Sequence, residues 1–273
     1  MKQIITNVRS KTPLIHCITN YVTVNDVANL LLASGASPIM ADDSLEVEEI
    51  TSICNGLTIN IGTLNSRTIE SMLLAGKKAN KLGKITVLDP VGAGASKLRT
   101  KTAFQLINEI KFSVIRGNIS EIKTLYLGSA STKGVDANIS DMITEENVTK
   151  AIELAKQLSK QTKAIIAITG AIDIVANENK VYLIRNGHPM MSKITGTGCM
   201  LSALIAAYGA ANDTNLLEAV IGAIACIGLA GELAYKKMVE RKAGTSTLRM
   251  CLIDAVSLMT DESLKEGMKV EIR

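Results

Sequence analysis

Apolar positions fall along this chain in two alternating rhythms. Short runs rich in Ile and Val occupy residues 14–17, 37–40, 57–61, 85–89, 113–116 and 164–169. Apolar residues on consecutive positions mean that both faces are covered, so each run predicts a strand packed on both sides. Between the runs, apolar positions recur every three to four residues over 24–33, 45–54, 67–82, 97–110, 121–127 and 145–160, and predict helices. Asn65, Asn118 and Thr144 stand where N-caps belong. Such alternation implies parallel βαβ units in a layered α/β fold. After Thr169 the rhythm changes. Residues 172–176 and 180–184 predict a hairpin around Asn177-Glu178-Asn179, and 199–210, 216–237 and 246–259 predict three more helices. No Pro- or Ser-rich linker and no repeat divides residues 1–273, which read as one domain.

Composition narrows the class. The chain is 47% hydrophobic and 21% charged, as in ordinary globular proteins, but aromatics make up 3% and Trp is missing, so the core is aliphatic. The net charge of +4 is spread rather than clustered, unlike a nucleic-acid-binding surface. Five widely separated cysteines, with no CxxC pair, suggest neither a disulfide framework nor a zinc site. They read as buried small side chains in a reducing compartment. Residues 1–10 lack the apolar core of a signal peptide. Residues 216–235 are greasy but carry Glu218 and Glu232, and the uncharged centre is too short to cross a bilayer, which predicts a core helix. A cytoplasmic protein free of the membrane is the expectation.

In open α/β sheets, ligands sit beyond the carboxyl ends of the strands, and four polar stretches fall there. Thr195-Gly196-Thr197-Gly198-Cys199 precedes an apolar helix. Its two glycines let successive N–H groups converge, and the helix adds its positive end, an arrangement suited to phosphate. A ligand-free tight turn is the alternative. The spacing fits neither a Walker A loop nor a dinucleotide fingerprint, since no Gly-Lys-Ser/Thr occurs and Leu201 stands where the third glycine belongs. Asp89-Pro90-Val91-Gly92-Ala93-Gly94 offers a carboxylate at a strand end, suited to a hydrated Mg²⁺ or simply to capping a turn. Arg116-Gly117-Asn118-Ile119-Ser120-Glu121 combines a guanidinium with a capping box in which Glu121 reaches back to Asn118. The last surface comprises residues 16–26 and 36–41, whose polar loops suit a substrate. His16 reads as a satisfied structural histidine, and His188 as a loop residue.

Together these segments resemble the hydroxyethylthiazole kinases, thiamine-salvage enzymes of ribokinase-like fold. The resemblance runs from about His16 to the last helices through His-Cys-Ile-Thr-Asn-Tyr-Val, Ser-Pro-Ile-Met-Ala, Leu-Asp-Pro-Val-Gly-Ala-Gly, Arg-Gly-Asn-Ile-Ser-Glu-Ile and Thr-Gly-Thr-Gly-Cys. It implies a three-layer α/β/α fold with a mainly parallel sheet, and transfer of the ATP γ-phosphoryl group to the alcohol of 4-methyl-5-(2-hydroxyethyl)thiazole with Mg²⁺. Carried over by position, Gly196, Thr197, Gly198 and Cys199 match the catalytic loop, with Gly196 also beside the acceptor. Arg116 and Thr169 match ATP contacts, Asp89 and Glu121 the Mg²⁺ positions, and Asn25 and Met40 the thiazole side. The resemblance also implies a homotrimer with sites at subunit boundaries, so that Asn25 and Met40 serve a neighbour's Cys199. Cys199 departs from the Asp base common in the wider ribokinase-like group, though thiazole kinases also carry Cys there. The helix start is expected to lower its thiol below the usual value of about 8.5 and to populate thiolate near neutral pH. Two rivals stay open, namely a kinase for a pyrimidine or pyridoxal-type alcohol and a non-catalytic sensor of the same ligands.

Overall fold

The computed structural model describes residues 3–128 and 143–273. Its strands are β1 (Leu14–Ile18), β2 (Ser37–Ile39), β3 (Gly56–Asn60), β4 (Ile85–Asp89), β5 (Val114–Asn118), β6 (Ile165–Thr169), β7 (Asp173–Ala176), β8 (Val181–Ile184) and β9 (Val270–Ile272). They form one nine-stranded sheet in the order β2-β1-β3-β4-β5-β6-β7-β8-β9. Pairing is parallel from β2 through β6 and antiparallel from β6 to β9. The six strands and the hairpin expected from the apolar runs are all present, with ends shifted by a residue or two.

The helices are α1 (Ile4–Lys11), α2 (Val24–Ser34), α3 (Val47–Ile53), α4 (Ser66–Lys81), α5 (Lys97–Glu109), α6 (Ile119–Leu127), α7 (Val148–Thr162), α8 (Thr197–Ala211), α9 (Leu216–Glu240), α10 (Thr245–Leu258) and α11 (Asp261–Gly267). Consecutive strand residues face opposite layers, as the unbroken apolar runs require. Val87, Val114 and Ala167 join a core with α2, α8, α9 and α10, whereas Leu88, Ile115 and Ile168 join a second core with α4, α5, α6 and α7. The result is a three-layer α/β/α sandwich. Each fully buried Leu or Ile in these layers contributes about 1.5–3 kcal/mol.

Three differences from the sequence reading have physical causes. α1, α11 and β9 were not expected. The amides of Ile5 and Thr6 at the start of α1 are capped by the Asp261 carboxylate of α11, at 2.8 and 3.0 Å, from the other end of the chain. α7 begins at Val148 with Asn147 at its cap position, and not at Glu145 behind Thr144, because Thr144 O accepts from Asn147 N and Val148 N in a preceding turn. α9 belongs to a 28-residue helical stretch that is long and apolar enough to cross a membrane, so length does not exclude a span. Its packing against α8 and α10 makes it a core helix, with 72% of its apolar window buried.

The strand order places the winding reversal between β1 and β3. α2, which leaves β1, packs in one layer, and α4, which leaves β3, packs in the other. The loops diverge there and open a crevice at the carboxyl ends of the strands.

Candidate active site

α8 starts at that crevice. Gly196 caps it with φ of 88°, a left-handed conformation that glycine alone adopts at no steric cost. The first helical bond runs from Met200 N to Gly196 O at 2.8 Å. The three preceding amides, of Thr197, Gly198 and Cys199, have no acceptor among the described residues. They form a free donor cluster at the positive end of a 15-residue helix.

A buried polar network lies beside it. Asp89 ends β4 and is fully buried; its Oδ2 accepts from Asn60 Nδ2 and from Ser202 Oγ, each at 2.8 Å. Arg116 Nη1 stands 3.3 Å from the same oxygen, and Nη2 donates to Thr169 Oγ1 at 2.6 Å. The Arg116 side chain is only 12% exposed, and its Nε is buried without a partner among the described residues. A guanidinium with an unused buried donor is expected to have an acceptor in the working protein. Gly198 lets this guanidinium approach, since a Cβ there would fall 2.5 Å from Nη1.

Glu121 is held differently. Asn118 accepts from Glu121 N, and Glu121 Oε2 accepts from Asn118 N, both at 2.8 Å, which closes the expected capping box. Oε1 accepts from Gly92 N at 2.8 Å and so ties the Gly92 loop to α6. Burial, and then the charge of Asp89, push the Glu121 carboxyl above its usual range, against the pull of the Gly92 amide and Arg116.

Cys199 is half-buried, and Asn20 Nδ2 donates to its sulfur at 3.2 Å. Burial, and secondarily Asp89, push its thiol up; Thr23 and Asn20 pull back without cancelling this. The direction is opposite to the lowered thiol expected, because burial and then the Asp89 carboxylate raise it. The other four cysteines are buried and free, as expected.

The structure thus joins Gly196, Thr197, Gly198, Cys199, Arg116, Thr169, Asp89 and Glu121 at one end of the sheet. Asn25 is exposed on α2 and bonds to Asn29, while Met40 follows β2 and packs on the core. Within one chain, no hydrogen bond among the described residues links either to Cys199. His16 is the structural histidine expected: its Nδ1 meets Thr51 Oγ1 and its Nε2 meets Ala41 O, at 2.9 and 2.8 Å. His188 stacks on Tyr235, with ring centroids 3.6 Å apart.

Sequence reasoning included Asn20 in the substrate-facing stretch without a role of its own, and missed Asn60, Ser202 and Asp173. A polar residue closing an apolar strand marked Asn60, and a hydroxyl one turn after Gly198 in an apolar helix marked Ser202. Asp173 opens β7 and accepts from Gly170 N at 2.9 Å. Burial raises its carboxyl to about 7, although Arg116 opposes this.

Residues 5–262 match the Hydroxyethylthiazole kinase family. The chain is 59% identical over 271 residues to a hydroxyethylthiazole kinase of Clostridium acetobutylicum, covering 99% of both proteins. It superposes on the solved structure of a hydroxyethylthiazole kinase from Pyrococcus horikoshii with a TM-score of 0.87 at 35% identity, covering all of both chains. A ribokinase-like superfamily protein from Enterococcus faecalis shares the fold at a TM-score of 0.59 and 12% identity, covering 92% of this chain and 88% of that one. A sheet wound as in ribokinase-like proteins, the five motifs clustered at its carboxyl end and similarity over nearly the whole chain to relatives of one name lead to one assignment: the chain belongs to the hydroxyethylthiazole kinase family.

Proposed function

We propose that this chain transfers the γ-phosphoryl group of ATP to the primary hydroxyl of 4-methyl-5-(2-hydroxyethyl)thiazole, supplying the thiazole phosphate for thiamine. The observation that carries this reading is the cluster of free amides at Thr197, Gly198 and Cys199, set against a buried guanidinium with an unpartnered Nε. Both are donors, and they meet at Gly198, against which the guanidinium packs; a migrating, negatively charged phosphoryl group requires such donors.

In-line transfer forms a bond from the acceptor oxygen to the γ-phosphorus and breaks the bond to the β–γ bridging oxygen. The amides at 197–199 hold the γ-phosphoryl oxygens, and Arg116, steadied by Thr169, contacts the ATP phosphates. Cys199 orients the acceptor hydroxyl and takes its proton late. A thiol pushed upward is a weak base, so its share falls at or below the low end of the 10²–10⁴-fold typical of general bases. Positioning and charge stabilisation supply the larger part.

Asp89 and Glu121 suit Mg²⁺. Asp89 raises the Glu121 carboxyl, a like-charge repulsion that a divalent cation relieves, and Mg²⁺ needs only one or two carboxylates beside its waters. Glu121, with both oxygens on backbone amides, fits contact through water. When bound, Mg²⁺ would neutralise charge on the β- and γ-phosphates.

Asn25 and Met40 complete the thiazole pocket of an adjacent subunit in a cytoplasmic homotrimer. Exposed large apolar residues support an interface there: Tyr21, Val22, Leu32, Leu45 and Ile53 all belong to the segment surrounding the edge strand β2.

The test is transfer of labelled phosphate from ATP to hydroxyethylthiazole, hydroxymethylpyrimidine and pyridoxal, with Mg²⁺ and with EDTA. Preference for the thiazole alcohol, abolished by EDTA, is expected. Faster labelling of either rival, or none at all, refutes the assignment.

A further inference from the structure

Asn60 closes β3 directly opposite Asp89 at the end of β4 and is 2% exposed. A carboxamide this deep needs partners for both ends. Its Oδ1 accepts from the backbone N–H of Gly62 at 2.9 Å. A backbone N–H only donates, so the oxygen is identified, and the atom 2.8 Å from Asp89 Oδ2 is Nδ2.

Asn20, at the end of β1, is fixed in the same manner. Its Oδ1 accepts from Thr23 N at 3.2 Å and from Thr23 Oγ1 at 3.1 Å. That leaves Nδ2 facing two acceptors, Asn60 Oδ1 at 2.9 Å and Cys199 Sγ at 3.2 Å. The donors therefore run in a fixed sense. Asn20 donates to the sulfur and to Asn60, and Asn60 donates to the carboxylate. Buried chains of this kind polarise and stiffen one another. This one runs from the loop after β1 to the ends of β3 and β4, beside the point where the winding reverses.

We propose that Asn60 is a positioning residue of phosphoryl transfer, holding the Asp89 carboxylate directly and the Cys199 sulfur through Asn20 in a single frame. The inference rests on the roles given above to Asp89 and Cys199. A purely structural Asn60 would satisfy buried atoms and nothing more; a positioning Asn60 changes the chemistry at a sulfur it does not touch.

Two variants test it. Asn60→Leu removes every bond at similar volume, and Asn60→Asp keeps acceptors for Gly62 and Asn20 but replaces the donor to Asp89 with an anion. Both should lower kcat about 10–100-fold, the usual effect of losing a group that orients a ligand, with KM for ATP and the thiazole alcohol unchanged to within about threefold. The separate readout is iodoacetamide labelling of Cys199 at pH 8 in the resting protein, without nucleotide or Mg²⁺. Cys199 is the only cysteine not buried, and peptide mass spectrometry isolates its signal. Loosening Asn20 weakens the donor at the sulfur, and leaving Asp89 less compensated strengthens its field. Both disfavour thiolate, so labelling should slow by about threefold or more.

A wild-type labelling rate in both variants overturns the proposal whatever their melting temperatures, as does an unchanged kcat. Cys199→Ala and Asp89→Asn, assayed alongside, separate the two levels. If neither lowers kcat, the reading of the site fails and this inference with it. If both lower kcat while the Asn60 variants do not, only the positioning role fails.

Discussion

Gly198→Ala is the smallest perturbation that reaches the centre of the site. Gly198 is not among the positive-φ residues, so an alanine there meets no backbone strain. The new Cβ would lie 2.5, 2.6 and 2.8 Å from Nη1, Nη2 and Cζ of Arg116. Ordinary contact begins near 3.4 Å, so the guanidinium must retreat by about 0.9 Å. A free arginine tip would do so at little cost, but this one is pinned by Thr169 at 2.6 Å and Asp89 at 3.3 Å. Losing one hydrogen bond to a charged group costs about 1.5–3 kcal/mol. For a protein of this size that lowers the melting temperature by several degrees, at about 2–4 °C per kcal/mol. Activity should fall further, because a displaced Arg116 removes a donor held for the phosphates, and loss of one preorganised donor typically costs about 10²–10³-fold in kcat. Steady-state ADP release, with thermal unfolding in parallel, measures both. The decisive comparison uses the Arg116→Ala background, where the alanine at 198 has no guanidinium to displace and should cost little more. Gly198→Ala with wild-type kcat/KM, or an undiminished effect on the Arg116→Ala background, would refute the reasoning.

Two further outcomes follow from the same contacts. Cys199→Ala should slow turnover while leaving measurable activity, and in the wild type the midpoint of Cys199 alkylation against pH should lie above that of a free thiol, since burial and Asp89 raise it; complete loss of activity or a midpoint below neutrality would contradict this. His16 has its pKa lowered by burial, so the unfolded chain binds more protons there, and the stability this contributes is full above the unfolded pKa near 6.5 and lost as pH falls below it; melting temperatures from pH 7 to 5 should drop more steeply for the wild type than for His16→Gln.

The raised thiol bears on the role proposed for Cys199. Were Cys199 a strong base, the site would hold it away from carboxylates. Instead Asp89, whose charge helps to raise the thiol against the pull of Arg116, is fixed by Asn60, Ser202 and Arg116, and the sulfur accepts from the Asn20 amide. In the transfer proposed above, that arrangement would orient a neutral hydroxyl whose proton needs a destination only late.

Much of the fold was legible because its rules are local. The run at 85–89 became β4 residue for residue, and Asn65 and Asn118 cap the helices they were expected to cap. Local rules fail where the partner is far along the chain. The cap of α1 lies 256 residues away at Asp261, and β9 is a half-exposed edge strand whose three residues carry little pattern. The site divides in the same manner. Glycines and charged residues at strand ends announce themselves, and the Gly-Thr-Gly loop, Asp89, Arg116 and Glu121 were singled out from them. Asn20 and Asn60 look like ordinary polar residues until the strand order sets β1 beside β3 and β3 beside β4. Only then does each carboxamide acquire a donor on one side and an acceptor on the other. The thiol's direction was misjudged for the same reason, since its sign depends on burial and on a carboxylate 110 positions earlier in the sequence. What a sequence conceals about such a site is therefore less the identity of its chemical groups than the charges that the sheet brings beside them.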